Sequence, residues 1–99
     1  TIFIKNLREL YIPTAFSPNH DGFNDLLPFF GSSNIRNLTI NIYSRWGKSV
    51  YTTNNLGDTW NGLDKKTGEV CPEGVYTVIA DYSINGVKRA YKGTLTIVR

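Results

Sequence analysis

The chain has 99 residues, enough for one domain with a single modest core. Hydrophobic residues make up 40% and charged residues 19%, a globular balance that excludes a disordered chain. The net charge of +3 is spread over eleven basic residues, paired only at Lys65-Lys66 and Lys88-Arg89, which argues against the concentrated basic face of a nucleic-acid binder.

Period-two alternation runs through almost the whole chain and helical spacing is absent, so the expected elements are strands. "LYIPTAF" and "LLPFF" come first as short strands limited by Pro13 and Pro28. "LTINIYSRWGKSVYTT" follows as a hairpin. Leu38, Ile40 and Ile42 share one face, Thr39, Asn41 and Tyr43 the other, and Gly47 can take the positive φ that a tight loop needs. On the return strand, Val50 and Thr52 alternate against Ser49, Tyr51 and Thr53. Next, "NNLGDTWNGLDKKTGEVCPEG" is rich in turn residues, with Trp60 expected to face inward. The last unit, "GVYTVIADYSINGVKRAYKGTLTIVR", is a second hairpin around an Asn85-Gly86 turn. Tyr76, Val78, Ala80 and Tyr82 share a face, as do Tyr91, Leu95 and Ile97, with Gly93 marking a bulge or a close approach. About seven short strands separated by regular turn signals predict an all-β fold, an immunoglobulin-like antiparallel β-sandwich.

The single cysteine, Cys71, permits no intrachain disulfide and no cysteine-based zinc site, and is read as a small, partly buried hydrophobe rather than a reactive thiol. No apolar run approaches a membrane span, so direct membrane insertion is not expected. The chain starts at Thr1, with residues 1–8 read as a linker or first-strand remnant, and is taken as one domain of a longer protein, monomeric in isolation.

The stretch "FSPNHDGFND" gathers most of the chemistry-bearing side chains. Its His20 is the sole histidine and sits in a turn, and Asp21 and Asp25 share that small loop rather than flanking a substrate. No serine lies in a nucleophile elbow. The chain is therefore read as a non-enzyme. A hard cation finds alternating oxygen donors here: Ser17, Asn19, Asp21, the carbonyl of Phe23 and Asp25, with Gly22 at the sharp turn. Calcium is the one cofactor this pattern admits. The preferred reading is a set of Asx turns, in which Asn and Asp side chains cap their own backbone. Tyr43 and Tyr51 could stack on sugars, though aromatic rows on strands more often face a core. Asn37-Leu38-Thr39 matches a glycosylation sequon that is common by chance.

In order and spacing, "IPTAFSPNHDGFND", "NLTINIYSRWGKSVY", "WNG", "TGEVCPEGVYTVIADY" and "KGTLTIVR" resemble the gliding-motility-associated C-terminal domain of Bacteroidetes proteins. That family is the type B sorting domain of the type IX secretion system. Its signature falls on Pro13, Ala15, Phe16, Ser17, Pro18, Asn19, Asp21, Gly22, Asn24 and Asp25, then on Tyr43, Arg45, Trp46 and Gly47, and finally on Trp60, Gly62, Gly74, Val75 and Tyr76. Departures are His20 in place of a common Gly, Cys71 in place of an aliphatic residue, and a polar insertion at Lys65 and Lys66. The second half alone is also similar to other bacterial immunoglobulin-like modules. The resemblance implies a non-catalytic C-terminal export signal that passes through the periplasm to the cell surface or medium. Its partners would be outer-membrane components of the secretion machinery, recognised through exposed loops, with Arg45 and Trp46 as candidate contacts. The extracellular setting also strengthens the calcium reading of the loop. A stand-alone adhesive or carbohydrate-binding module, or a structural spacer, is the alternative.

Overall fold

The computed structural model describes residues 10–18 and 26–98. These hold nine strands and no helix: β1 (Leu10–Tyr11), β2 (Ala15–Phe16), β3 (Leu27–Pro28), β4 (Phe30–Gly31), β5 (Ile35–Tyr43), β6 (Ser49–Thr53), β7 (Thr59–Trp60), β8 (Gly74–Ile84) and β9 (Val87–Ile97). The excess over the expected seven arises because "LYIPTAF" breaks around Pro13 and "LLPFF" breaks at Phe29, each giving two short strands.

The long strands carry the alternation seen in the sequence and build one five-stranded sheet in the order β2, β9, β8, β5, β6. β8 and β9 pair without interruption, from Val87 opposite Ile84 to Ile97 opposite Gly74. Their connection is the two-residue turn expected: Asn85 and Gly86 take φ of 51° and 80°, whose twist matches that of the flanking strands. Gly93 is therefore no bulge. It admits the Tyr91 side chain, whose hydroxyl oxygen would come within 3.1 Å of a Cβ placed there.

Two irregularities do occur. In β5 the register with β8 shifts between Arg36 and Thr39, where Asn37 adopts a φ of 55°. Between β5 and β6, Tyr43 faces Ser49 and Ile42 faces Tyr51, so Val50 is an extra residue on its strand. This bulge changes which side chains point inward. Val50, Tyr51 and Thr53 are all buried, against the strict alternation expected of this strand.

The opposite layer is made of two-residue pairings, β1 with β4 and β3 with β7. Between the layers lie Ile40, Ile42, Val78, Ala80, Leu95 and Ile97 from the large sheet, and Leu10, Ile12, Leu27, Phe29 and Trp60 from the small one. The sandwich is antiparallel except at one place. β2 runs parallel to β9, with Ala15 opposite Thr96 and Phe16 opposite Ile97. The chain leaves the small layer after Tyr11 and reaches the edge of the large sheet at Ala15, with only Ile12, Pro13 and Thr14 between. Pro13, which has no N–H to leave unpaired, sits at that crossing.

Candidate functional site

The β5–β6 hairpin ends in a tip held by hydrogen bonds centred on Ser44. Ser44 N–H donates to the Lys48 carbonyl at 2.8 Å, and Gly47 N–H donates to the Ser44 carbonyl at 2.9 Å. Ser44 Oγ accepts from the N–H groups of Trp46 and Lys48 at 3.2 and 3.3 Å. Gly47 closes the turn at a φ of 86°. With the main chain so held, Arg45 and Trp46 project outward. Trp46 is 82% exposed, the highest value among the exposed large hydrophobic side chains, and the Arg45 guanidinium carbon lies 5.2 Å from its ring centroid. The tryptophan does not pack across its own hairpin.

Beside the tip runs a groove of about 400 Å³ whose lining includes Arg45, Trp46, Val70, Pro72 and Val75. Val70 and Val75 are exposed, as is the Trp46 indole. Asp64 also lines the groove. Its Oδ1 accepts the N–H groups of Lys66 and Thr67 at 2.9 and 3.4 Å, and its own carbonyl accepts Gly68 N–H at 2.7 Å. Its Oδ2 sits 3.2 Å from Lys48 Nζ, tying this turn to the hairpin. The Asp64 side chain is only 6% exposed, but its cover is the turn's own backbone at the rim of the fold. The Lys66 N–H, aided by Lys48 and Thr67, holds its pKa below the usual carboxylate value against the opposing effect of burial.

A carboxyl group whose folded pKa is lowered stabilises the fold above its unfolded pKa and loses that contribution as pH falls through the folded pKa. The stabilisation by Asp64 should therefore be complete and independent of pH above about pH 5, and be lost as the pH falls below about 4. In Asp64→Asn the neutral-pH melting temperature falls, and the gap to the wild type narrows as pH is lowered. A gap of the same size at pH 7 and pH 2.5, measured by thermal denaturation, would contradict the assignment.

The family-signature residues divide into two groups. Phe16, Trp60 and Tyr76 belong to one aromatic cluster, with Trp60 5.5 Å from Phe16, 5.9 Å from Tyr51 and 6.1 Å from Tyr76. Trp60 Nε1 donates to the Leu63 carbonyl at 2.8 Å, and the Tyr76 hydroxyl donates to the Pro72 carbonyl at 2.7 Å. Gly62 is buried and its carbonyl accepts the N–H of Cys71, which is itself buried. Gly74 opens β8, Pro13 is half-buried and Pro18 buried. Of the expected cation ligands, Ser17 is half-buried, while Asn19, Asp21, Phe23 and Asp25 lie outside the described residues, as do His20, Gly22, Asn24 and residues 1–8. Among the described residues no three His, Cys, Asp or Glu side chains gather into a metal-holding group. Tyr51 is not a surface aromatic. The bulge turns it into the core, where burial, and secondarily the Asp58 charge, pushes its phenol pKa up. The exposed stacked pair is instead Tyr11 and Phe30, 6.0 Å apart on β1 and β4.

Lys65 has a role that its sequence position does not reveal. Its N–H donates to the Val50 carbonyl at 2.9 Å and its Nζ to the Thr52 carbonyl at 2.6 Å, with the ammonium 5.0 Å from the Tyr51 ring centroid. These are carbonyls on the outer edge of β6, so the polar insertion caps that edge of the large sheet.

A family model described as the CHU_C type IX secretion signal domain matches residues 10–97. No curated protein matches the chain. Among solved structures, the chain is similar to PorZ of Porphyromonas gingivalis, described as an essential bacterial surface component of the type IX secretion system. The match has a TM-score of 0.57 at 18% identity and covers 91% of this chain but 11% of PorZ, so it supports the fold alone.

Proposed function

The chain belongs to the type IX secretion signal domains, and from that membership we propose that it acts by protein–protein recognition at the outer membrane, without catalysis. In this reading the domain ends a larger protein, crosses the periplasm folded, and carries its cargo to the cell surface or medium. The observation that carries the recognition site is the hairpin tip: an 82% exposed Trp46, held by a turn that Ser44 and Gly47 fix with hydrogen bonds and flanked by Arg45. Tryptophan and arginine are the side chains that most often dominate binding energy at interfaces, and a rigid presentation lowers the ordering cost of using them. The test is a fusion of residues 1–99 to a reporter, expressed in a type IX-competent cell with the cognate outer-membrane partner. Surface delivery supports the reading, and a reporter retained in the periplasm sinks it.

A second reading, an adhesive or carbohydrate-binding module, is favoured only by the exposed Tyr11 and Phe30 rings. Glycan binding abolished by Phe30→Ala would support it. Calcium at residues 17–25 belongs to the proposal as well. Heat on calorimetric titration with calcium and a raised melting temperature support it, and the absence of both removes it.

A further inference from the structure

The two edges of the large sheet are treated differently. Lys65 caps the carbonyls of β6. On the other side, β2 covers β9 only at Thr96 and Ile97. Thr96 and Val98 donate their N–H groups outward, to the carbonyls of Thr14 and Phe16. Because β9 is regular, the same parity turns the N–H and C=O groups of Lys88, Ala90, Lys92 and Thr94 to that edge. Among the described residues no strand pairs with them. All four are exposed. Among the described residues, 87–95 thus offer a ladder of roughly 30 Å that no strand covers.

The charge on this edge is one-sided. β9 contains Lys88, Arg89 and Lys92 and no acidic residue. The nearest carboxylate in the ladder is Asp81 of β8, opposite Ala90, which leaves the stretch net positive. Lysine on an edge strand opposes pairing with a second copy of the same edge, because like charges would then face each other. An acidic strand meets no such opposition.

We propose that the β9 edge receives an extended acidic segment of a partner protein, added as a further strand beside Lys88, Ala90, Lys92 and Thr94. Backbone hydrogen bonds would supply affinity, and the basic side chains would select the sign of the partner's charge. The inference deepens the recognition reading, but it is tested on the 99-residue chain in solution, so its failure leaves the export assay unaffected.

The probe is a synthetic nonapeptide of alternating Glu and Val, compared with a Lys and Val counterpart and with the Glu peptide carrying a central proline. The acidic peptide should bind and shift the NMR amide signals of residues 88–94. It should also slow hydrogen exchange at Lys88, Ala90, Lys92 and Thr94, and weaken with added salt. The basic and proline peptides should not bind. The double variant Lys88→Glu with Lys92→Glu, at two exposed positions and checked to melt as the wild type does, should bind the acidic peptide about tenfold more weakly or worse, while Lys66→Glu binds as the wild type does. The proposal is overturned by no binding at millimolar peptide, by shifts confined to the Arg45–Trp46 tip, or by exchange at these four amides already slow in the free chain, which would mean the edge is occupied.

Discussion

Trp60→Ala should lower stability by about 3–5 kcal/mol, the usual result of emptying a large aromatic site in a core. For a domain of this size, each kcal/mol moves the melting temperature by about 4–8 °C, so a fall on the order of 20 °C is expected. Total stability of a small domain is only about 5–15 kcal/mol, which leaves the variant close to unfolding at physiological temperature. The size of the effect follows from where the indole sits. Trp60 is 1% exposed and lies on β7, a two-residue strand held by pairing with β3. From there its ring spans the sandwich to Tyr51 of β6, Tyr76 of β8 and Phe16 of β2. A small layer made of two-residue strands has few backbone hydrogen bonds, so its attachment depends on such packing. Trp60→Phe divides the effect. It retains a ring but removes the Nε1 donor, leaving the Leu63 carbonyl without its partner at a cost of about 1–3 kcal/mol. Thermal denaturation should therefore rank the wild type above Trp60→Phe and Trp60→Ala lowest. Equal melting temperatures for the wild type and Trp60→Ala would refute the structural role.

The opposite pattern is expected at the hairpin tip. Trp46→Ala and Arg45→Ala alter exposed side chains whose turn is held by Ser44 and Gly47, so stability should change by less than about 0.5 kcal/mol. Binding to the export partner should fall much further. Loss of a central tryptophan at an interface costs about 2 kcal/mol or more, roughly a 30-fold loss of affinity. The reporter fusion carrying Trp46→Ala should then accumulate in the periplasm while melting as the wild type does. Arg45→Lys separates charge from shape. It keeps the cation but loses the planar group beside the indole, and a partial defect is expected. Normal surface delivery of the Arg45→Ala, Trp46→Ala double variant would move the recognition site elsewhere on the domain.

The two sets of variants bear on different parts of the family signature. Phe16, Trp60 and Tyr76 form the aromatic cluster, and changing them should alter delivery only by unfolding the domain. Arg45 and Trp46 are exposed and stand outside the buried core, and the protein–protein reading gives them a reason to be presented. A melting curve measured beside each export assay distinguishes the two cases.

The long strands, both hairpin turns and the inward placement of Trp60 were legible in the sequence. Each depends on residues close together in the chain: alternation along β5, β8 and β9, the Asn85-Gly86 pair, the glycine at 47, and a tryptophan among turn residues. Family membership was legible for a similar reason, since it rests on the order of local motifs. Tertiary structure decided the parallel pairing of β2 with β9, the assembly of the small layer, the inward turn of Tyr51 and the capping of β6 by Lys65. A two-residue strand is too short to show a period, a bulge is visible only against its partner strand, and Lys65 reaches a carbonyl 13 residues back in the chain. Local pattern fixes what a segment can be. Which edge is covered, and which stays open, depends on contacts made only once the chain has closed on itself.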